Sequence, residues 1–431
     1  MADILRDIIR RNRLGEPAAI PSVCTAHPDV LRACLARAAR LGRPLVVEAT
    51  SNQVNQDGGY TGMRPADFAG FVTNIAEDVG FPIWQLVLGG DHLGPQAWRR
   101  QPAAAAMGKA RVMIADYVRA GFTKIHLDCS EGCAGEPAQV GDATAAARAA
   151  DLAGVAVSAA PDPAALLFVI GTEVPPPGGA RMDEAGDIRP TTPNAARATL
   201  AAHRAAFVSA GLETVLPQIG GLVVQPGVEF SPMRVHHMPL ERDPGLRAAL
   251  EDWPHLCLEA HSTDYQSPAC FQRLAELGFA FQKVGPALTF AWRAAIYALD
   301  QLAHIAGWAD QPPLAEVMER LMLANPAHWS DHYHPEAGDL RVQRHFGLAD
   351  RIRYYWPMPQ AQAAVSALFA AFEAKILPRP MLEQAFRPAL LDRAAEAGAF
   401  TADRLAQAAI SLALDPYFLD TAATRTLEPD R

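Results

Sequence analysis

Eight short hydrophobic runs, rich in valine, leucine and isoleucine, recur along the chain between residues 19 and 285. Runs of this length and composition predict strands that are buried on both faces. They lie at 19–24, 45–50, 85–90, 124–128, 166–171, 222–227, 256–261 and 281–285. Alanine-rich segments predict helices at 29–41, 65–79, 104–120, 143–156, 193–211, 239–252, 267–278 and 287–303. Such strand–helix units indicate an α/β protein, either a TIM (β/α)8 barrel or an open doubly wound sheet.

Polar residues follow nearly every predicted strand at its carboxyl end. An open sheet would gather its ligand-binding residues at one switch point. A closed barrel instead collects them from all its strands at one mouth. The distribution therefore favours the TIM barrel. The residues are Glu48 with Ser51, Asn52 and Gln53, then Asp91, His92, His126, Asp128, Glu173, Gln225, Glu259, His261 and Lys283.

The pattern changes after residue 305, where we find no further strand. Helical segments are predicted at 313–324, 360–376, 380–398 and 402–413. We therefore expect a barrel over residues 1–305 and a helical C-terminal extension over 306–431, packed on the barrel or on a partner.

Composition excludes several classes of protein. The 431 residues include 38 Lys and Arg against 47 Asp and Glu, a net charge of −9 that argues against nucleic-acid binding. No apolar run approaches the roughly 18 residues of a membrane span, and the N-terminus lacks signal-peptide features. Six cysteines without regular spacing suggest a reducing compartment. We expect a soluble cytoplasmic protein.

The most informative motif is GGDHLGP at 89–95, which places Asp91 beside His92 where a strand ends. Histidine is the commonest metal ligand, and a neighbouring aspartate can act as a base or orient the imidazole. The alternative is a turn in which the aspartate caps the next helix and the histidine is merely buried.

Two further strands carry pairs of polar residues on one face. His126 and Asp128 are two residues apart, as are Glu259 and His261. Either pair alone could be a structural ion pair, because buried charges need partners. Three polar strand ends together favour a functional site.

Further candidate site residues carry carboxylate or amide side chains and lie at other strand ends and in the loops that follow them. Glu173 is the one charge in a proline-rich loop at 171–179, and Gln225 ends the next strand. The loop at 51–62 is rich in amides, among them Asn52 and Gln53, which suit sugar hydroxyls but are also ordinary loop residues. Histidine, carboxylate and amide ligands suit Zn²⁺, Mn²⁺ or Mg²⁺ without choosing among them.

Several long motifs resemble one known family. They include EATSNQVNQDGGYTGM, GGDHLGP, AGFTKIHLD, VIGTEVPPPGG, VVQPGVEF, EAHSTDYQ, KVGPALTFAWRAA and DRIRYYWP, and they run from Ser22 to Pro357. They are similar to the GatZ/KbaZ family, the so-called non-catalytic subunits of class II D-tagatose-1,6-bisphosphate aldolase, sometimes labelled tagatose-6-phosphate kinases. The resemblance implies a TIM barrel related to the class II aldolases.

The resemblance also implies roles for single residues. Asp91 and His92 stand where the aldolases have a catalytic aspartate and a metal ligand. His261 resembles the last ligand histidine, and Ser262 and Thr263 follow where the aldolases bind phosphate. Gln225 replaces the middle ligand histidine, and the lysine that follows it in the aldolases is missing.

Together these arguments give a candidate site at the mouth of the barrel. The catalytic candidates are Asp91, Glu173 and Asp128; the substrate-binding candidates are Asn52, Gln53, Gln225, Ser262, Thr263 and Lys283; the candidate ligands of a divalent metal are His92, His126, Glu173 and His261.

Two functions remain open. The resemblance implies an accessory subunit that stabilises and activates a GatY/KbaY-type aldolase in galactitol, N-acetylgalactosamine or tagatose catabolism. The alternative is a metal-dependent 4-epimerase of ketoses or ketose phosphates that uses retro-aldol chemistry; self-association is open in either case. A kinase ranks third, because neither GxxxxGK[ST] nor GxGxxG after a strand is present.

Overall fold

The structure is a computed structural model that describes residues 2–171 and 188–419. Parallel strands close into a barrel in the order β1–β2–β3–β4–β5–β6–β9–β10, with β10 beside β1. The barrel strands are β1 Ile20–Cys24, β2 Leu45–Thr50, β3 Leu86–Leu93, β4 Lys124–Leu127, β5 Leu167–Gly171, β6 Ile219–Val223, β9 Cys257–Ala260 and β10 Phe279–Val284. A small antiparallel hairpin, β7 Glu229–Ser231 with β8 Arg234–His236, follows β6. The predicted TIM barrel is confirmed.

Helices surround the barrel and continue beyond it. Those of the barrel part are α1 Ala2–Arg13, α2 Pro28–Leu41, α3 Pro65–Asp78, α4 Ala103–Arg119, α5 Asp142–Ala159, α6 Pro193–Ser209, α7 Pro268–Glu276 and α8 Pro286–Ile305. Those that follow are α9 Leu314–Ala324, α10 Leu340–Phe346, α11 Pro359–Ala371, α12 Arg379–Ala385, α13 Pro388–Ala395 and α14 Ala402–Leu414. Among the described residues, no helix is both long enough and apolar enough to cross a bilayer.

Three predicted elements differ from the structure, each for a local reason. The helix predicted at 239–252 is wrong: only a 3₁₀ turn, Leu246–Leu250, forms there, because Pro244 cannot donate a helical hydrogen bond. The strand predicted at 222–227 is displaced to Ile219–Val223, where two glycines hide the strand pattern. The helix predicted at 380–398 divides at Pro388 into α12 and α13.

Apolar residues form two cores. The larger lies between the barrel and its helices. The smaller fills the inside of the barrel, where Val46, Val87 and Phe281 meet Leu5 and Ile9 of α1. The lower part of the barrel is therefore a packed core, which leaves the C-terminal ends of the strands for chemistry.

The helices after residue 305 contact the barrel part directly. Helix α14 packs on α8 and α2. A buried ion pair joins Arg293 of α8 to Asp350, with Nε and Oδ1 2.8 Å apart, and the same carboxylate accepts a 2.5 Å hydrogen bond from Thr289. The division into two domains at residue 305 stays a prediction.

Asp350→Asn should destabilise the protein by about 3–5 kcal/mol, because it leaves the Arg293 charge buried without a partner. Asparagine suits this position, where φ is 45°. Urea unfolding measures the change, and Glu383→Gln in the exposed Arg379–Glu383 pair is the control, with an expected change below about 1 kcal/mol. Equal effects of the two substitutions would contradict this account.

Candidate active site

Three histidines and one aspartate meet at the C-terminal mouth of the barrel. The ring centroids of His92, His126 and His261 lie 4.9, 5.0 and 5.3 Å apart. Together with Asp91, each offers one ligand atom within 4.8 Å of all the others, and all four residues are buried. The structure thus brings together residues from three strand ends.

The backbone of β3 explains how adjacent residues reach one place. His92 adopts φ 47°, and the pairing of β3 with β4 shifts register between Gly90 and Leu93. This left-handed conformation turns the side chains of Asp91 and His92 to the same side of the strand, where regular strand geometry would separate them. Gly89 makes room beside them, since a Cβ there would lie 2.8 Å from Cγ of Glu48.

A second partner orients each histidine ring. His92 Nδ1 lies 2.7 Å from Asp128 Oδ2, His126 Nε2 lies 3.0 Å from the Gly171 carbonyl oxygen, and His261 Nε2 lies 2.9 Å from Glu259 Oε1. Histidines that bind metals commonly donate their other N–H to a carboxylate or a carbonyl in this way. With these tautomers, the remaining nitrogens of His92 and His126 face Asp91 Oδ1, at 3.7 and 3.1 Å.

Five buried side chains of alternating charge connect the cluster to the barrel interior. Lys124 Nζ lies 2.7 Å from Glu259 Oε2 and 2.6 Å from Glu48 Oε1. Lys283 Nζ lies 3.0 Å from Glu48 Oε2 and also pairs with Asp91 Oδ1. We call Glu259, Lys124, Glu48, Lys283 and Asp91 the charge chain. Each charge has an opposite neighbour, which offsets the desolvation of burial.

These charges set the protonation of the cluster. Burial opposes ionisation of Asp91, but His92 and Lys283 outweigh it and hold the pKa of Asp91 well below its usual range. Burial, together with the charge of Lys283, lowers the pKa of His261 to about 3. Burial also acts against the charged form of His92, yet Asp91 and Asp128 raise its pKa. At neutral pH, Asp91 is therefore ionised and His261 is neutral.

The other predicted site residues differ in their burial and in whether they contact the cluster. Gln53 is buried, and its Oε1 accepts a hydrogen bond from Thr50 N and lies 3.9 Å from Cys24 Sγ. Asn52, in contrast, is exposed. Asp128 touches the cluster through His92, and Lys283 touches it through Asp91. Glu173 lies outside the described residues.

Gln225 and Thr263 are engaged in local hydrogen bonds. Gln225 Oε1 accepts hydrogen bonds from Gly227 N and Val228 N, and its buried Nε2 has no partner among the residues that the structure describes. The Thr263 hydroxyl donates to the Lys283 carbonyl oxygen at 2.5 Å. Ser262, beside it, has φ 51°. The substrate-binding roles of these residues stay predictions.

Sequence reasoning gave no role to Lys124 or Cys24. Lys124 shares the inward face of β4 with His126, and that parity could have placed it in the charge chain. Cys24 Sγ lies 3.6 Å from Asp91 Oδ2, at the end of β1. The hydrophobic run at 19–24, which Cys24 ends, has no polar pattern that would have indicated this contact.

Asp264, close to the cluster in sequence, is a carboxylate in an apolar setting. Burial raises its pKa from the usual 3.8 to about 6, although Ala287 N and Gly285 N donate to Oδ1 at 2.8 and 3.1 Å. Between pH 4 and 6 the folded state therefore binds more protons at this group than the unfolded state does. Stability must then fall as the pH rises through this range.

Asp264→Asn should remove this dependence. Relative to the variant, the wild type should lose roughly 3 kcal/mol of unfolding free energy between pH 4 and 6, and the difference should be constant above that range. Denaturant unfolding at several pH values measures it, with the exposed Asp252→Asn as control. Parallel pH profiles of wild type and Asp264→Asn would show that burial does not raise this pKa.

The fold and the site define a class: a TIM-barrel protein with a buried Asp/His cluster that could hold a metal. The family model for D-tagatose-1,6-bisphosphate aldolase subunit GatZ/KbaZ-like proteins matches residues 5–422. The chain belongs to the GatZ/KbaZ-like family, which confirms the resemblance seen in its motifs.

Two relatives have different names. The chain is 49% identical over 391 residues to D-tagatose 6-phosphate 4-epimerase of Agrobacterium fabrum (strain C58), a match that covers 89% of this chain and 91% of that protein. It is 46% identical to a probable tagatose 6 phosphate kinase from Sinorhizobium meliloti 1021, whose crystal structure superposes with a TM-score of 0.85. That match covers 93% of this chain and 99% of the other. The family, epimerase and kinase names all concern tagatose phosphates.

Proposed function

We propose that this protein is a metal-dependent 4-epimerase that interconverts D-tagatose 6-phosphate and D-fructose 6-phosphate. The observation that carries the proposal is the buried cluster of Asp91, His92, His126 and His261 at the barrel mouth. The name of the Agrobacterium relative, whose sequence aligns with 89% of this chain, supports the proposal.

The residues present fit a divalent metal. His261 is neutral, and His92 and His126 have an acceptor for the second ring nitrogen, as ligand histidines require. His92, His126 and His261, with Asp91 beside them, would hold Zn²⁺, Mn²⁺ or Mg²⁺; the role of Glu173 as a ligand stays a prediction. A bound divalent ion would polarise the ketone at C2 and stabilise negative charge that develops there.

Asp91 is suited to the proton transfers. Its ionised carboxylate would accept the proton of the C4 hydroxyl while the C3–C4 bond breaks; the bond electrons move to an enediolate at C2 and C3, and C4 becomes an aldehyde. After the aldehyde half rotates, C3 would attack its other face, and Asp91 would return the proton to the C4 oxygen. Lys283 keeps Asp91 ionised, and Asp128 holds the His92 ring.

The family description favours a second candidate, an accessory subunit of a class II aldolase of the GatY/KbaY type. A purely structural subunit has no need for a buried Asp/His cluster with oriented rings. Co-purification with an aldolase that is inactive alone would support the accessory role. A homo-oligomer and a cytoplasmic location stay predictions, the latter in keeping with six unpaired cysteines.

The decisive assay incubates the pure protein with D-fructose 6-phosphate or D-tagatose 6-phosphate, with and without Mn²⁺ or Zn²⁺, and measures interconversion. We expect metal-dependent conversion without a partner and without ATP. Consumption of ATP with formation of a ketose bisphosphate would indicate a kinase, and no conversion without an added aldolase subunit would favour the accessory role.

Elemental analysis should find a divalent ion in the purified protein, and His92→Ala and His261→Ala should lose it. Asp128→Ala, which removes the acceptor for His92 Nδ1–H, should lower metal affinity about 10–100-fold. His255→Gln, an exposed histidine, is the control. A metal-free wild type, after growth with ample metal, would count against the site.

Asp91→Asn should lower kcat about 10²–10⁴-fold, because an amide cannot accept the C4 hydroxyl proton. Steady-state kinetics with either ketose 6-phosphate measures the effect. The matched control is Asp57→Asn, which removes a half-exposed carboxylate paired with Lys109 and should not change kcat. A wild-type kcat in Asp91→Asn would exclude Asp91 as the base.

A further inference from the structure

A cavity of about 480 Å³ lies between the loops after β1 and β2 and the helical C-terminal part. Thr25 after β1, Asp29 of α2 and Arg353 contribute to its wall. Cys24 contacts Asp91, and the next residue, Thr25, already lines the cavity. Because neighbouring Cα atoms are about 3.8 Å apart, the cavity begins one residue along the chain from a side chain that contacts the proposed base.

Arg353 brings a positive charge to this cavity without a carboxylate partner. Its hydrogen bonds go to neutral oxygens: the carbonyls of Ala349 and Asp350, and the Tyr354 hydroxyl at 3.0 Å. The Asp350 carboxylate is already paired with Arg293. Among the residues that the structure describes, no acid lies within ion-pair distance of Arg353.

Arg351 adds to the same positive potential. Its Nε donates to the His328 carbonyl oxygen, and it too has no ion pair within the described ranges. Both guanidinium groups lie close to the Tyr354 ring, with their central carbons 4.5 and 4.6 Å from the ring centroid. Burial raises the pKa of Tyr354, but the charges of Arg351 and Arg353 outweigh it and lower that pKa. Two largely buried cations without an ion pair among the described residues leave a charge that a ligand can neutralise.

The usual phosphate position of a TIM barrel is taken in this chain. Phosphates commonly bind at the loops after the last two strands and at a helix N-terminus. Here the N–H groups of Gly285 and Ala287, at the start of α8, donate to the Asp264 carboxylate. The Thr263 hydroxyl donates to the Lys283 carbonyl oxygen. The donors of this position are therefore already engaged, which points to another position for a phosphate.

We propose that the Arg353 cavity binds the 6-phosphate of the substrate, so that the helical C-terminal part completes the substrate site. This inference rests on the proposed function for the identity of the anion. The guanidinium fork of Arg353 matches a phosphate, and the Thr25 hydroxyl, which accepts from His27 N at 3.2 Å, retains its own O–H as a donor. C5, C6 and one oxygen separate C4 from phosphorus, a short span that suits a cavity one residue beyond the Cys24–Asp91 contact.

The site predicts selectivity for phosphorylated ketoses. Arg353→Gln should raise KM for the ketose 6-phosphate at least about tenfold, with a smaller change in kcat, and leave kcat/KM for the unphosphorylated ketose unchanged. Calorimetry with inorganic phosphate should show the same tenfold weakening. Arg353→Lys should restore part of the affinity. Arg379→Gln, an exposed arginine of α12, is the control and should behave as wild type.

Phosphate binding is measured separately from turnover, so the two proposals can fail separately. Phosphate binding that depends on Arg353 supports the subsite even if the protein does not epimerise sugars. Equal phosphate affinities of wild type and Arg353→Gln overturn it. If Arg353→Gln does not fold, Thr25→Val replaces it: several-fold weaker phosphate binding supports the subsite, and unchanged binding overturns it.

Discussion

The upper interior of this barrel depends on the pairing of buried charges of opposite sign. The charge chain runs from Glu259 through Lys124, Glu48 and Lys283 to Asp91, and Lys124, Glu48 and Glu259 have no exposed side-chain surface. Removal of an inner member would leave the buried charges unbalanced, at a cost of several kcal/mol. The chain therefore fixes the upper interior of the barrel, and with it the place where the histidines meet.

The same arrangement prepares the site for chemistry. Lys283 keeps Asp91 ionised at its end of the chain, while Glu259 holds the ring of His261. One network thus holds an ionised carboxylate and an oriented neutral imidazole side by side in a buried interior. A site held by fixed partners needs little reorganisation during reaction, which is the main source of electrostatic catalysis.

The sequence predicted the barrel and the meeting of strand ends, because strands buried on both faces leave a strong hydrophobic pattern and carboxyl ends of parallel strands share one mouth. It could not predict the left-handed turn at His92, since only the completed β3–β4 pairing imposes it. β6 was misplaced because Gly220 and Gly221 lack the side chains that mark a strand. Arg353 was also missed, because its place beside the cluster depends on how distant helices pack on the barrel.

Gln225 marks a departure of this chain from the aldolases that its motifs resemble. Resemblance placed Gln225 where the aldolases have a ligand histidine, and its Oε1 is used to hold its own loop through Gly227 and Val228. His126 lies instead on β4, between Asp91 and the Gly171 carbonyl. A cluster with one histidine moved to another strand would present its donors from a different direction.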